Sequence, residues 1–210
     1  MSLIVLCAGG HARVVIEALL SRGKRPIALT DRDAALVGTL VGGVPIIGPD
    51  EDVCNMKLDA VELANGLGNH ATRSHSGLMA RRLLFQRFAA LGYAFPVISH
   101  ASAVIASDAS LGQGAQVMAG AVIQPAARIG QNVLVNTRAV VEHDCRVGDH
   151  AHIAPGAVLC GAASVGEGAH VGAGAVVLGG ISVGAGAIVA AGAVVARNVE
   201  AGGFAGDDRK

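Results

Sequence analysis

The sequence predicts a small α/β domain over residues 1–98, a parallel β-helix over residues 99–203 and a short tail over residues 204–210. Three observations predict this. An aliphatic residue recurs every six positions, a glycine recurs every eighteen, and strand and helix patterns alternate ahead of both. Stepping by six from Ile105 to Val195 meets Val, Ile or Leu at all sixteen stops. The residue two places before each stop is mostly Ala, as at Ala103, Ala121, Ala139 and Ala157. Gly112, Gly130, Gly148, Gly166 and Gly184 mark the longer beat, so three sixes form one coil. A six-residue period is neither that of a strand nor that of an amphipathic helix, and it signals a parallel β-helix. Each of three flat faces turns one β-branched or aliphatic residue inward, and Ala fits the corner. The glycines are expected to supply backbone angles that other residues resist.

Ahead of the repeat, residues 3–7 read as a short buried strand and Gly9-Gly10 as the turn into a helix. On that helix Val14, Val15, Ala18 and Leu19 are expected to share the buried face, and Gly23 to stop it. Residues 26–30, 44–48 and 59–64 read as further strands, with a brief helix capped by Asp50 between the last two. A longer helix is expected over residues 71–91, buried through Leu78, Leu83, Leu84, Phe88 and Leu91. Strands alternating with helices imply a small Rossmann-like parallel sheet, whose carboxyl-end loops are where a ligand sits. The loop after the first strand, Cys7-Ala8-Gly9-Gly10-His11-Ala12, lacks two glycines of the full dinucleotide fingerprint. A complete NAD site is therefore not expected, while a helix amino end able to accept an anion remains.

Composition narrows the function classes. Lys plus Arg equals Asp plus Glu at 16 each, and aromatic residues make up 2% of the chain, so a nucleic-acid partner is not expected. Charges and glycines interrupt every apolar run well before the roughly 20 residues of a membrane span. Cys7, Cys54, Cys145 and Cys160 form no Cys-x-x-Cys pair, so they read as thiols of a reducing cytoplasm rather than zinc ligands. The start of the chain lacks the features of a secretory signal.

The repeat resembles the hexapeptide-repeat acyltransferases, and the left hand of the β-helix is what that resemblance implies, against the usual right-handed crossover rule. The first half sharpens it. A strand, a Gly-Gly-His loop, Asp31 after the second strand, and then Gly68-Asn69 with Arg73 are similar to the bacterial nucleotide-sugar N-acetyltransferases that acylate a 4-amino sugar, such as the bacillosamine and perosamine enzymes. The resemblance implies that Gly9, Gly10 and His11 meet the phosphate and sugar. It implies that Asp31 and Arg32 meet the nucleoside and that Gly68 lines the same pocket. Cys7 departs from the Gly common in relatives, and the tail lacks their Pro-Ala-Lys closure. Acetyl-CoA is the implied cosubstrate, a nucleotide-activated amino sugar the acceptor, and a homotrimer with sites between subunits the assembly.

The segment Asn136 to Cys145 carries the chemistry, because Glu142, His143 and Asp144 interrupt a scaffold of small residues. Acyl transfer to an amine needs a base and donors for an oxyanion. An imidazole suits the first role, and an adjacent carboxylate orients it. By the family motif His143 is the general base and Asp144 its partner. His152 is implied to contact the acetyl group, the Gly161 N–H the thioester oxygen, and Ala173 and Ala191 the pantetheine. Asn136 is the candidate to face the sugar. His150 and His170 read as solvated. Two alternatives stay open: O-acetylation of a sialic-acid-type sugar, and a zinc hydratase like the γ-carbonic anhydrases, for which His152 and His170 stack one coil apart. No metal is expected.

Overall fold

The computed structural model describes residues 1–69 and 76–206. β1 (Ser2–Leu6) leads through Gly9 into α1 (Gly10–Leu20), followed by β2 (Ala28–Leu29), a hairpin of β3 (Leu40–Val41) and β4 (Val44–Pro45), β5 (Val61–Asn65) and α2 (Ser76–Ala90). β1 lies between β2 and β5, all parallel. The third strand expected at 44–48 begins as the second arm of the hairpin and then runs along the sheet edge: Ile46 bridges Leu29 in parallel, Ile47 N donates to Leu29 O at 2.9 Å and Asp31 N to Gly48 O at 2.8 Å. Gly42 and Gly43 both have positive φ, the requirement of a tight two-residue hairpin turn. The brief helix is a 3₁₀ segment at Asp50–Asn55, and the Asp50 carboxylate accepts from the Thr30 hydroxyl rather than capping it.

Both helices bury faces shifted from those expected. In α1, Val15, Ala18 and Leu19 are buried with Ala12 and Ile16, and Val14 is exposed. Helix α2 buries Phe85, Phe88 and the polar Arg81, whereas Leu83 and Leu91 face out. Tertiary packing decided this face, since of Leu83, Leu84 and Leu91 only Leu84 touches the cluster of Ile4, Leu6, Phe85 and Phe88, while the Leu78 side chain lies outside the described residues. The expected start of this helix at residues 71–75, with Arg73, lies outside the described residues.

From Ile98 on, two-residue strands wind around a triangular prism. Face 1 stacks six strands from Val104–Ile105 to Val194–Val195, and face 2 five from Ser110–Leu111 to Ser182–Val183. Face 3 stacks seven, beginning with Ile98–Ser99 and ending with Phe204–Ala205. All pairings are parallel, with an eighteen-residue register such as Val140 on Val158 and His152 on His170, until the last coil, where Ile188 pairs Phe204 at sixteen. The inward aliphatic residues and corner alanines form one continuous core, with Val141, Leu159, Ala139 and Ala157 fully buried. Each coil hydrogen-bonds to the next, as in Val140 N to Ala157 O at 2.8 Å and Glu142 N to Leu159 O at 3.0 Å. The amino-terminal half packs on face 3: Met118 and Leu134 share a cluster with Val5, Val15 and Leu29.

The eighteen-residue glycines have a different cause from the one expected. None has positive φ. A Cβ on Gly148 would lie 2.7 Å from Glu167 N, and one on Gly166 2.4 Å from Ala185 N. Glycine is required there because the next coil's backbone occupies the side-chain position. The left-handed corners fall elsewhere, every sixth residue, at Arg138, Asp144, His150, Gly156, Ala162 and Gly168. Gly148→Ala therefore lowers stability by about 1–3 kcal/mol through overpacking. Gly10→Ala, where nothing lies within 4 Å of the added carbon, lowers it by no more than about 0.5 kcal/mol. Urea denaturation of the two variants measures both.

Candidate active site

Four consecutive residues turn the chain from face 1 to face 2, and the turn at 142–145 carries the reactive side chains. His143 and Asp144 are both 62% exposed, and the His143 Nδ1 donates to Asp144 Oδ2 at 2.8 Å. A carboxylate accepts only, so the ring proton sits on Nδ1 and the Nε2 lone pair is free. Asp144 occupies a left-handed corner, φ 61°, a conformation that Asp tolerates well. One coil on, the Ala162 N–H donates to the His143 carbonyl at 2.8 Å, which docks the two turns together. A Cβ on Gly161 would lie 2.6 Å from His143 Nε2. Only glycine leaves room for that imidazole. The Gly161 N–H donates to no partner among the described residues, like the matching position at every turn of this edge. Pro125, which has no N–H to lose, fills one of those matching positions.

The remaining predicted residues of the β-helix lie across face 1 or on face 3. Asn136, Ala173 and Ala191 belong to turns from face 3 to face 1, and Ala173 and Ala191 are exposed one coil apart. His152 projects from face 3 and is buried. The Asn136 Oδ1 accepts from Thr137 N at 2.8 Å, which leaves its Nδ2 to donate to His152 Nε2 at 3.2 Å. Asn136 and His152 thus meet, while His143 and Gly161 sit on another edge of the same prism. A single chain does not unite the two groups.

His150 and His170, expected to be solvated, are buried at 6% and 7% exposure. The cause is the packing of α2 and the outward column of face 3. Phe85 meets the His150 ring edge-on at 5.7 Å, and the Asn132 amide bonds His150 Nδ1 at 3.0 Å. His170 meets His152 of the preceding coil edge-on with ring centroids 4.9 Å apart. Burial pushes the His170 imidazole down to about 4, and burial, His170 and Arg81 push His152 well below the ordinary value. The stacked pair that a zinc reading requires exists. Among the described residues, however, no third His, Cys, Asp or Glu joins it.

The loops after β1, β2 and β5 converge. Gly9 and Gly10 are exposed at the start of α1 with open space above each. Asp31 Oδ2 accepts from Ala8 N at 3.1 Å and Oδ1 from Asp33 N at 3.0 Å, so this carboxylate braces the glycine loop. Arg32 is exposed beside it. A Cβ on Gly68 would lie 3.1 Å from His11 Cβ, which places Gly68 against that histidine. His11 Nε2 pairs with Gln116 Oε1 at 2.8 Å, and burial with the nearby Arg81 pushes the ring down to about 4. Cys7 has φ 69°, the left-handed region where Gly is preferred, so its departure from the family pattern falls where a side chain is strained. Burial, with Asp50 and Asp31, pushes the Cys7 thiol up to about 12.

A buried polar chain behind these loops was missed by sequence reasoning. Gln116 Nε2 donates to Asn65 O, Asn65 Nδ2 donates to Arg81 O and Asn132 Oδ1, and Arg81 Nη1 donates to the carbonyls of Asn65 and Leu67. Its one visible signal is Gln116, a polar residue in the outward column that otherwise begins with Ile98 and Leu134. A shallow hollow of about 520 Å³ also runs along face 2 past Arg128 and Arg146, and it holds none of the predicted residues.

The comparisons with known proteins agree with this geometry. A family described as PglD N-terminal domain matches residues 2–76, and one described as Bacterial transferase hexapeptide (six repeats) matches residues 126–161 and 162–197. The acetyltransferase domain of PglB from Neisseria gonorrhoeae FA1090 is 33% identical, covers 99% of this chain and 97% of its own, and superposes with a TM-score of 0.88. The chain belongs to the hexapeptide-repeat acetyltransferases with a PglD-type amino-terminal domain. PerB from Caulobacter crescentus, in complex with CoA and GDP-perosamine, is 34% identical over 100% of this chain and 95% of its own, with a TM-score of 0.88. WeeI from Acinetobacter baumannii AYE is 25% identical over 97% and 95%, with a TM-score of 0.82. No curated protein sequence matches. Among the described residues of this acetyltransferase, no helix is long and apolar enough to cross a membrane.

The buried histidines make stability depend on pH. His11, His152 and His170 are held below their unfolded values, so the unfolded chain binds more protons as the pH falls. Their contribution is complete above about pH 6.5 and is lost toward pH 4, at up to about 1.4 kcal/mol per pH unit for each group. Urea denaturation at steps from pH 7.5 to 4.5 measures this slope, which is shallower in His170→Asn.

Proposed function

We propose that this protein transfers an acetyl group from acetyl-CoA to the 4-amino group of a nucleotide-linked amino sugar, with His143 as general base. The His143 imidazole carries the reading: its Nε2 faces Gly161 while Asp144 holds the other nitrogen. Nε2 takes a proton from the amine as nitrogen attacks the thioester carbonyl. The oxyanion accepts from the Gly161 N–H, which no other group uses among the described residues. Collapse breaks the carbon–sulfur bond, and the imidazolium returns its proton to the CoA thiolate. The amide and CoA leave with all protons accounted for. Asp144 keeps Nδ1 protonated and stabilises the imidazolium.

The nucleotide sugar is assigned to the first half. The open N–H groups at Gly9 and Gly10 suit its diphosphate. Neutral His11 and Gly68 flank the sugar side, and Asp31 and Arg32 lie on the nucleoside side. CoA in the PerB complex supports acetyl-CoA as the second substrate, with Ala173 and Ala191 as the flat edge along which pantetheine lies.

A homotrimer completes the site. Face 3 is covered by the chain's own first half, and face 2 presents Arg128, Arg146 and serines. Face 1 presents an unbroken outward column of Val104, Val122, Val140, Val158, Val176 and Val194, with the two end residues 61% and 67% exposed. A threefold ring that turns this column inward buries it. The same ring sets the His143 edge of one chain beside the Asn136, Ala173 and Ala191 edge of the next, which unites the two groups a single chain keeps apart.

His143→Ala lowers kcat by about 10²–10⁴-fold, the worth of a general base, with the KM for acetyl-CoA little changed and the trimer intact by sedimentation. Gly161→Ala, which displaces the ring, lowers kcat in the same direction. Steady-state assays with UDP- and GDP-linked 4-amino sugars, and with the matching 4-hydroxy sugars, read both. Unchanged turnover in His143→Ala overturns the assignment, and preference for the hydroxyl acceptor overturns N-acetylation.

A further inference from the structure

Arg138 is left unused by the chemistry above. Six turns join face 3 to face 1, at residues 100–103, 118–121, 136–139, 154–157, 172–175 and 190–193, and Arg138 is the one permanent charge in them. It sits at a left-handed corner, φ 57°, exposed, with its stem over Gly120. It forms no ion pair among the described residues. The opposite edge of face 1 is acidic. Its turns carry Asp108, Glu142 and Asp144, and Arg197 lies only at the far end. Glu142 and Asp144 stand on the same coil as Arg138, across the two-residue strand Val140–Val141. Asp144 spends Oδ2 on His143, and Oδ1 has no partner among the described residues.

A rotation about an axis along the prism keeps each coil at its own height. The threefold ring therefore brings the cationic corner of one chain to the acidic corner of the next at the level of His143. We propose that Arg138 pairs with Asp144 and Glu142 of the partner subunit and is a positioning residue for the His143–Asp144 pair. The guanidinium fork takes the free carboxylate oxygen and leaves Oδ2 on the imidazole. This pairing rests on the trimeric reading above and goes beyond it by assigning a residue that each subunit lends to its neighbour's base. The matched charges also favour the ring in which unlike edges meet over any contact of like edges.

Two measurements test it in the full chain. Arg138→Cys with Glu142→Cys, in a Cys54→Ser background, is treated with a short bismaleimide and run on a denaturing gel. Covalent dimers and trimers are expected from the double variant and not from either single one. A preparation that sediments as a trimer without cross-linking overturns the pairing alone, whereas a monomer overturns the assembly and the pairing with it. In kinetics, Arg138→Ala lowers kcat by about two- to fivefold, the effect of a solvent-edge ion pair, with the KM for acetyl-CoA unchanged and Arg138→Lys partly restoring it. An unchanged kcat overturns the positioning role. A raised KM for acetyl-CoA at unchanged kcat overturns it too and assigns Arg138 to the coenzyme.

Discussion

The structure depends on how closely one coil can approach the next. Along its axis the prism is held by stacked aliphatic side chains and by hydrogen bonds from coil to coil, such as Glu142 N to Leu159 O. That spacing leaves no room for a Cβ at Gly130, Gly148, Gly166 or Gly184, where the following backbone already stands within 3 Å. It also leaves none at Gly161, where a neighbouring side chain, the His143 ring, fills the space. The rule that packs the scaffold is thus the rule that seats the candidate base. A solenoid stacks each repeat only on its neighbours, so an irregularity at one coil is felt locally. Glu142, His143 and Asp144 can replace small residues at one corner without disturbing the core behind them, because Val141 and Cys145 on either side remain buried.

The outward columns of the three faces divide the work. Face 3 carries Gln116, Leu134, His152 and His170, and all four are buried. Gln116 and Leu134 owe this to the amino-terminal half, which Gln116 meets through His11 and Asn65. Burial disfavours the charged form of an imidazole, and Arg81, deeply buried and itself pushed down to about 9, adds to this at His11 and His152. The result is a set of neutral rings, of which His11 joins the amino-terminal half to the prism through Gln116 and His152 accepts from Asn136 within the prism. His143 differs from all of them, being exposed and paired with a carboxylate. Two environments for the same residue type separate a group fit to exchange protons from groups that hold position.

Much of this was legible beforehand. The six-residue beat predicts each inward position, and every stop from Val117 to Val177 is buried. The strand–glycine–helix start, the place of Asp31 just past the second strand and the register of His152 on His170 also follow from spacing. Other features did not show. The apolar Val44 and Ile46 predict a strand at 44–48, but nothing in that run shows that Gly42-Gly43 folds its start back on Leu40–Val41 as a hairpin. The α2 face does not follow from its leucines, because Leu83 is exposed while Arg81 and Phe85 turn in. The burial of His150 and His170 is not legible either, because the repeat alone does not say which outward column a second domain will cover.

The sequence by itself therefore determined the periodic part: which residues face inward, where the coil repeats, and which corner carries titratable groups. A period of six allows one way to bury its aliphatic set, so a single chain's pattern suffices. Only the tertiary structure decided what lies outside the prism. It set which face is covered, which histidines are desolvated, and that His143 and His152 stand on different sides of one chain. Those outcomes depend on contacts between segments about a hundred residues apart, such as His11 with Gln116, and no local period encodes them.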